Sequence, residues 1–264
     1  MKQIKIFVSV LAAILFVSCD HIAEDERYVE VDAIEAQRVV LLEEFTGQNC
    51  PNCPKAHEAI EALQQQYGAS IIPVSIHAGS FGIAEGEYGE YFQTFKTSEG
   101  DQYASQWGIK AYPSGLVNRN GDVTLHTEWA NLVRQELARP TTLDIQLNAH
   151  LNGDKLVAGA VLRSSEPLSG NLQLWVLEDS IVSIQLDGAN MITDYVHNNV
   201  YRASLNGVGG QPVSLQANVY EVVTATIPMH DEWNPRNLSV VGFVYDDKGV
   251  TQAARVGIDL PVEK

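Results

Sequence analysis

Apolar and polar positions follow two different periods along this chain, with the change near Pro140. Before it, short apolar runs alternate with a helical stretch: Val39-Val40-Leu41-Leu42, then Pro54 to Tyr67, then Ile71-Ile72-Pro73-Val74-Ser75-Ile76. The runs predict buried strands. Within the intervening segment Ala59, Ile60 and Leu63 make the apolar stripe of a helix that Gly68 ends. After Pro140, Leu143, Ile145 and Leu147 alternate with Asp144, Gln146 and Asn148, the period of half-buried strands. Asn152-Gly153 then predicts a hairpin into Leu156-Val157-Ala158, because both turn residues accept positive φ. Further strands are expected at Leu172–Leu177, Val213–Tyr220, Val222–Ile227 and Leu238–Tyr245, with a turn at Asp247-Lys248-Gly249 before Val250–Ile258. The pattern predicts an α/β domain at 38–139 and an antiparallel β-sandwich domain at 140–264.

The N-terminus has a different character. Lys2 and Lys5 precede an apolar run from Ile6 to Val17, about twelve residues long, whereas a membrane-crossing helix needs about twenty. Residues 1–18 read as a secretory signal, and the segment from Asp20 to Glu35 as an acidic tether with too few large apolar residues to order itself. The alternative is an ordinary cleaved signal peptide in which Cys19 is incidental.

Without Lys2 and Lys5 the chain carries 15 basic and 33 acidic residues, a net charge of −18. Phosphate binding needs a basic surface, and the scattered Lys and Arg make none in sequence, so a nucleic-acid partner is not expected.

Candidate chemistry centres on Cys50-Pro51-Asn52-Cys53, between the Val39–Leu42 run and the helix. A strand, loop and helix in that order would put Cys50 at a helix N-terminus, where the dipole favours a thiolate, and Cys53 one turn further, better shielded. The first cysteine would attack and the second would resolve the mixed disulfide. With Cys50 as N-cap, Pro54 would remove the N–H that bonds the Cys50 carbonyl and distort the first turn. Other readings stay open. A static disulfide needs no chemistry, and a zinc site from Cys50, Cys53 and His57 lacks a nearby fourth ligand. Ala78-Gly79-Ser80-Phe81-Gly82 lacks the context of a nucleophile elbow, and His57, His77 and His197 read as structural or solvent-facing rather than catalytic.

Residues around the pair resemble thioredoxin-fold proteins: Glu44 six residues before Cys50, and Trp107-Gly108-Ile109-Lys110-Ala111-Tyr112-Pro113 further on. That resemblance implies a proton-handling role for Glu44, with Glu43 as the alternative inward acid, and a cis-proline at Pro113 that presents substrate backbone beside the disulfide. Asn120-Gly121 would be the turn that follows. The sequence departs from the thioredoxin pattern at Asn49, at Pro51-Asn52 and in an insertion from Ser80 to Ala104, which could cover the site. Phe16-Val17-Ser18-Cys19 resembles a bacterial lipobox, which implies acylation of Cys19. Over most of the mature chain, with Leu174-Trp175-Val176-Leu177-Glu178-Asp179 and Asp194-Tyr195-Val196-His197-Asn198-Asn199-Val200-Tyr201-Arg202, the sequence resembles the Omp28-like family of Bacteroidetes outer-membrane lipoproteins. This implies a thioredoxin-like first domain, a β-rich second domain and lipid anchorage in a Gram-negative envelope.

Two functions follow as expectations. One is thiol-disulfide exchange with exported proteins, using Cys50, Cys53, Glu44 and Pro113 and no dissociable cofactor or metal. The other is a non-catalytic surface lipoprotein that uses its fold as a scaffold to bind a ligand. Fold alone does not choose between them.

Overall fold

The computed structural model of the chain describes residues 36–84 and 93–260. The signal segment, Cys19 and the acidic tether lie outside the described residues, as do positions 85–92 of the Ser80–Ala104 insertion. Among the described residues the order is β1 (Val40–Thr46), α1 (Cys53–Tyr67), β2 (Ile71–His77), α2 (Ser98–Gln106), β3 (Ser114–Val117), α3 (His126–Leu137) and then strands only. These are β4 (Leu143–Asn152), β5 (Lys155–Ser164), β6 (Leu168–Glu178), β7 (Ile181–Asp187), β8 (Asn190–His197), β9 (Val200–Ser204), β10 (Gln211–Leu215), β11 (Tyr220–Pro228), β12 (Leu238–Asp246) and β13 (Gly249–Gly257).

The expected fold class, a thioredoxin-like α/β domain followed by a separate sandwich, is corrected by the sheet topology. One mixed eight-stranded sheet, ordered β13-β12-β6-β9-β2-β1-β3 with β10 added on β6, takes strands from both sides of Pro140. The joint is parallel: Ser75 of β2 faces Val200 of β9, and its N–H donates to the Asn199 carbonyl at 2.8 Å. The apolar runs of β1 and β2 explain the merger, since a strand apolar on both faces must be covered on both. On one face α1 and α3 bring Ile60, Leu63, Trp129 and Val133 against Val40 and Leu42. On the other, Leu41, Phe45 and Ile76 pack with Trp175, Leu177, Tyr201 and Phe243 from the later strands. The three-stranded sheet β11-β5-β4 forms a second layer, burying Leu156 and Leu162 against Leu174, Val176 and Val240.

Two local expectations also change. The helix does not start on Cys50: Asn52 is the N-cap of α1, and Pro54 stands in the first turn, where its missing N–H would have no intrahelical partner. The turn after β3 is centred on Asn118 and Arg119, both at φ +51°, rather than on Asn120-Gly121. A hairpin joins β4 to β5 as expected, but Asn152 ends β4 opposite Lys155 and the turn residues are Gly153, at φ +63°, and Asp154.

Candidate functional site

The cysteine loop leaves the C-terminal end of β1, a central strand flanked by β2 and β3. Gly47 opens it, and a Cβ there would stand 2.2 Å from the Phe81 carbonyl oxygen, so the close approach admits only glycine. Asn49 N–H donates to that same carbonyl at 3.0 Å. Cys50 and Cys53 are joined as a disulfide with a Cα–Cα distance of 5.4 Å. Both cysteines are 0% exposed.

Their cover comes from a hairpin that the pattern of the sequence did not reveal. Strands β7 and β8 pair only with each other, around a turn at Gly188-Ala189. This hairpin lies on the cysteine loop through backbone and amide bonds. Leu186 N–H donates to the Gln48 carbonyl at 2.8 Å and Gly188 N–H to the Pro51 carbonyl at 2.9 Å. Gln185 Nε2 donates to the Cys50 carbonyl at 3.1 Å, and Gln48 Nε2 donates to Ser183 Oγ at 3.0 Å. From the insertion, Phe81 and Gln93 also touch the loop, the latter through its carbonyl to Gln48 Nε2 at 3.1 Å. Asp187-Gly188, a hairpin dipeptide between two strand-length runs, was the available signal.

Both candidate acids are buried, so neither of the two orientations weighed for Glu43 and Glu44 leaves the other in solvent. Each face of β1 is covered. Glu43 accepts two bonds from Arg119, Nε to Oε2 and Nη2 to Oε1, each 2.8 Å. Rings of Phe243, Tyr245, Trp175 and Trp107 surround the guanidinium at 4.6–5.8 Å. Glu44 accepts from Ser75 Oγ at 3.0 Å and lies 3.4 Å from His57 Nε2. Burial raises its pKa above the ordinary carboxylate value, against the pull of His57.

His57, on α1, spends its ring on neighbours. Nε2 lies 3.2 Å from Thr46 Oγ1, and Nδ1 is 2.7 Å from Tyr195 Oη on β8. A chain of polar contacts thus runs from Glu44 through His57 to the hairpin. Pro113, in a cis peptide bond with Tyr112, precedes β3, whose Ser114 pairs with Phe45. That register puts Pro113 at the same end of the sheet as the disulfide.

Behind the hairpin is a cavity of about 370 Å³ whose wall includes His57, Ser75, His77, Tyr195, His197 and Asn198. His77 and His197 are 1% and 2% exposed, their ring centroids 5.6 Å apart, with Phe95 edge-on to both. Burial lowers His197 to about 3, helped by His57, and drives His77 well below its ordinary value. Both rings are therefore neutral at pH 7. His197 Nε2 is 3.2 Å from the Ile184 carbonyl, which can only accept, so that nitrogen carries the proton. His77 Nδ1 is buried and makes no hydrogen bond. Among the described residues no group of three or more His, Cys, Asp or Glu is placed to hold a metal ion.

The family model described as outer membrane protein Omp28 matches residues 100–260. Among solved structures the chain is similar to HBP35 of Porphyromonas gingivalis, with a TM-score of 0.64 and 17% identity over 86% of this chain and 78% of that one. It is also similar to protein AGR_C_4864 from Agrobacterium tumefaciens, with a TM-score of 0.51 and 14% identity over 87% of this chain and 100% of the other. At such identities the likeness is one of fold. No curated protein matches the chain.

Proposed function

Because this chain belongs to the Omp28 family of outer membrane proteins, we propose that it serves as a non-catalytic, lipid-anchored binding protein in which Cys50–Cys53 is a structural staple. Family membership puts it at the outer membrane of a Gram-negative envelope. The lipid would be carried by Cys19, and labelled palmitate incorporated into the wild type but not into Cys19→Ala is the result expected.

One observation carries the staple reading: both cysteines are fully buried under a hairpin that bonds three successive segments of their loop. Thiol exchange proceeds by in-line attack of a thiolate on sulfur, which needs access to the sulfur. Here the hairpin would first have to be displaced, breaking the Leu186, Gly188 and Gln185 bonds together. Glu44 fits the same reading. Its partners are Ser75 and His57, and His57 turns on to Tyr195.

The test is equilibration of the folded protein in thiol buffers, with free thiols trapped for mass spectrometry. A disulfide that stays closed below about −300 mV agrees with the proposal. A reversible transition between about −270 and −120 mV, lost in Cys50→Ser, would instead make the protein a working oxidoreductase.

A further inference from the structure

The cavity behind the β7–β8 hairpin has the make-up of a ligand site. Its volume of about 370 Å³ lies at the small end of the range for ligand pockets, about 300–1,000 Å³. Gln64 and Asn198 bring side-chain amides to its wall, and Tyr195 a ring.

The lining excludes several ligand classes. Ile60 and Val196 are its only aliphatic members, so a hydrocarbon would strand the imidazoles and amides around it. Its one strong cation, Arg255, is already held by Asp179, Asn199 and Ser239, and Glu61 sits on the rim. His77 and His197 are neutral. An anion such as phosphate would find no net positive charge. What remains is a neutral ligand that both donates and accepts hydrogen bonds. The side-chain amides of Gln64 and Asn198 donate and accept in the same way. Tyr195 supplies an aromatic wall.

We infer that this cavity binds a short neutral saccharide, its hydroxyls bonded to the amides of Gln64 and Asn198, with a sugar ring against Tyr195. The inference rests on the binding-protein reading and names its ligand class. It also gives the hairpin a second task, since Tyr195, His197 and Asn198 come from β8 and the residue that follows it.

The experiment is isothermal titration of the full mature protein in detergent with the methyl glycosides of glucose, galactose, mannose and N-acetylglucosamine. Inorganic phosphate and indole serve as the anionic and apolar probes. Saturable binding of at least one glycoside is expected, weakened about tenfold in Gln64→Ala, a loss of about 1.4 kcal/mol, and abolished in Tyr195→Ala. Val182→Ser, on the outer face of the hairpin at 62% exposure, should bind as the wild type does. Gln64 is partly exposed on α1, so its replacement by a better helix former leaves the fold intact. No binding of any glycoside, binding indifferent to Gln64→Ala, or tighter binding of phosphate or indole would overturn the assignment. If glycosides fail while the disulfide stays closed, the ligand class falls and the binding-protein reading stands. If the disulfide exchanges, that reading falls on its own evidence.

Discussion

Acid should unfold this protein through the imidazoles buried behind the hairpin. His197 has an ordinary value of 6.5 and is brought to about 3, first by burial and then by His57. The unfolded chain therefore takes up its proton first, and the folded state loses stability as pH falls from about 6.5 towards 3. At about 1.4 kcal/mol per unit, the gap sets a ceiling of about 5 kcal/mol, of which about 3 would be lost by pH 4. His77 acts in the same direction, under the influence of His197, His57 and Arg202. Glu44 acts against both: with its value raised by burial, it favours the fold in acid and loses that effect as pH rises through 4.5 and beyond. The perturbation that isolates the histidine is His197→Gln, which keeps a donor for the Ile184 carbonyl and does not titrate. Urea unfolding followed by circular dichroism at pH 7 and pH 4 should show the wild type losing about 3 kcal/mol more than the variant. Equal losses in the two proteins would refute the reasoning, because they would place the acid sensitivity elsewhere.

Arg119→Met should cost about 3–5 kcal/mol in guanidinium unfolding, since it leaves Glu43 charged and unpaired at 0% exposure. Adding Glu43→Met should restore most of that loss. Gln185→Ala removes the donor to the Cys50 carbonyl, so the rate at which dithiothreitol opens the disulfide, read by iodoacetamide trapping, should rise several-fold with little change in secondary structure. Gly115→Ala should lower Tm markedly, because its Cβ would meet the Glu43 carbonyl oxygen at 2.3 Å and Trp129 at 2.9 Å; overpacking of this kind costs about 1–3 kcal/mol or more.

Much of the local structure could be read from the order of residues. The double-faced apolar runs became β1 and β2, the stripe of Ile60 and Leu63 became part of the buried face of α1, and turns at Gly153-Asp154 and Asp247-Lys248 closed the β4–β5 and β12–β13 hairpins. These rest on short-range periodicity and on residues that tolerate positive φ. The cysteine pair was legible as chemistry, and its pairing as a disulfide is what the structure contains. The β7–β8 hairpin was harder to see, because its outer face carries Val182, Met191 and Val196 and so breaks the usual alternation of apolar inside and polar outside. Burial of Glu43 and Glu44 side by side was also illegible, since a rule of alternating faces assumes one wet face and β1 has none.

By itself, then, the sequence determined where β1, β2, the first helix and the β4–β5 and β12–β13 hairpins lie, and which thiols stand close enough to pair, because these depend on neighbours a few positions apart. Tertiary structure alone decided that the two halves share one sheet, that the hairpin of residues 181–197 seals the disulfide, and that His57, His77, Tyr195 and His197 converge on one cavity. Those contacts join residues more than a hundred positions apart. They follow from which apolar faces needed covering, a property of the assembled layers and not of any one segment.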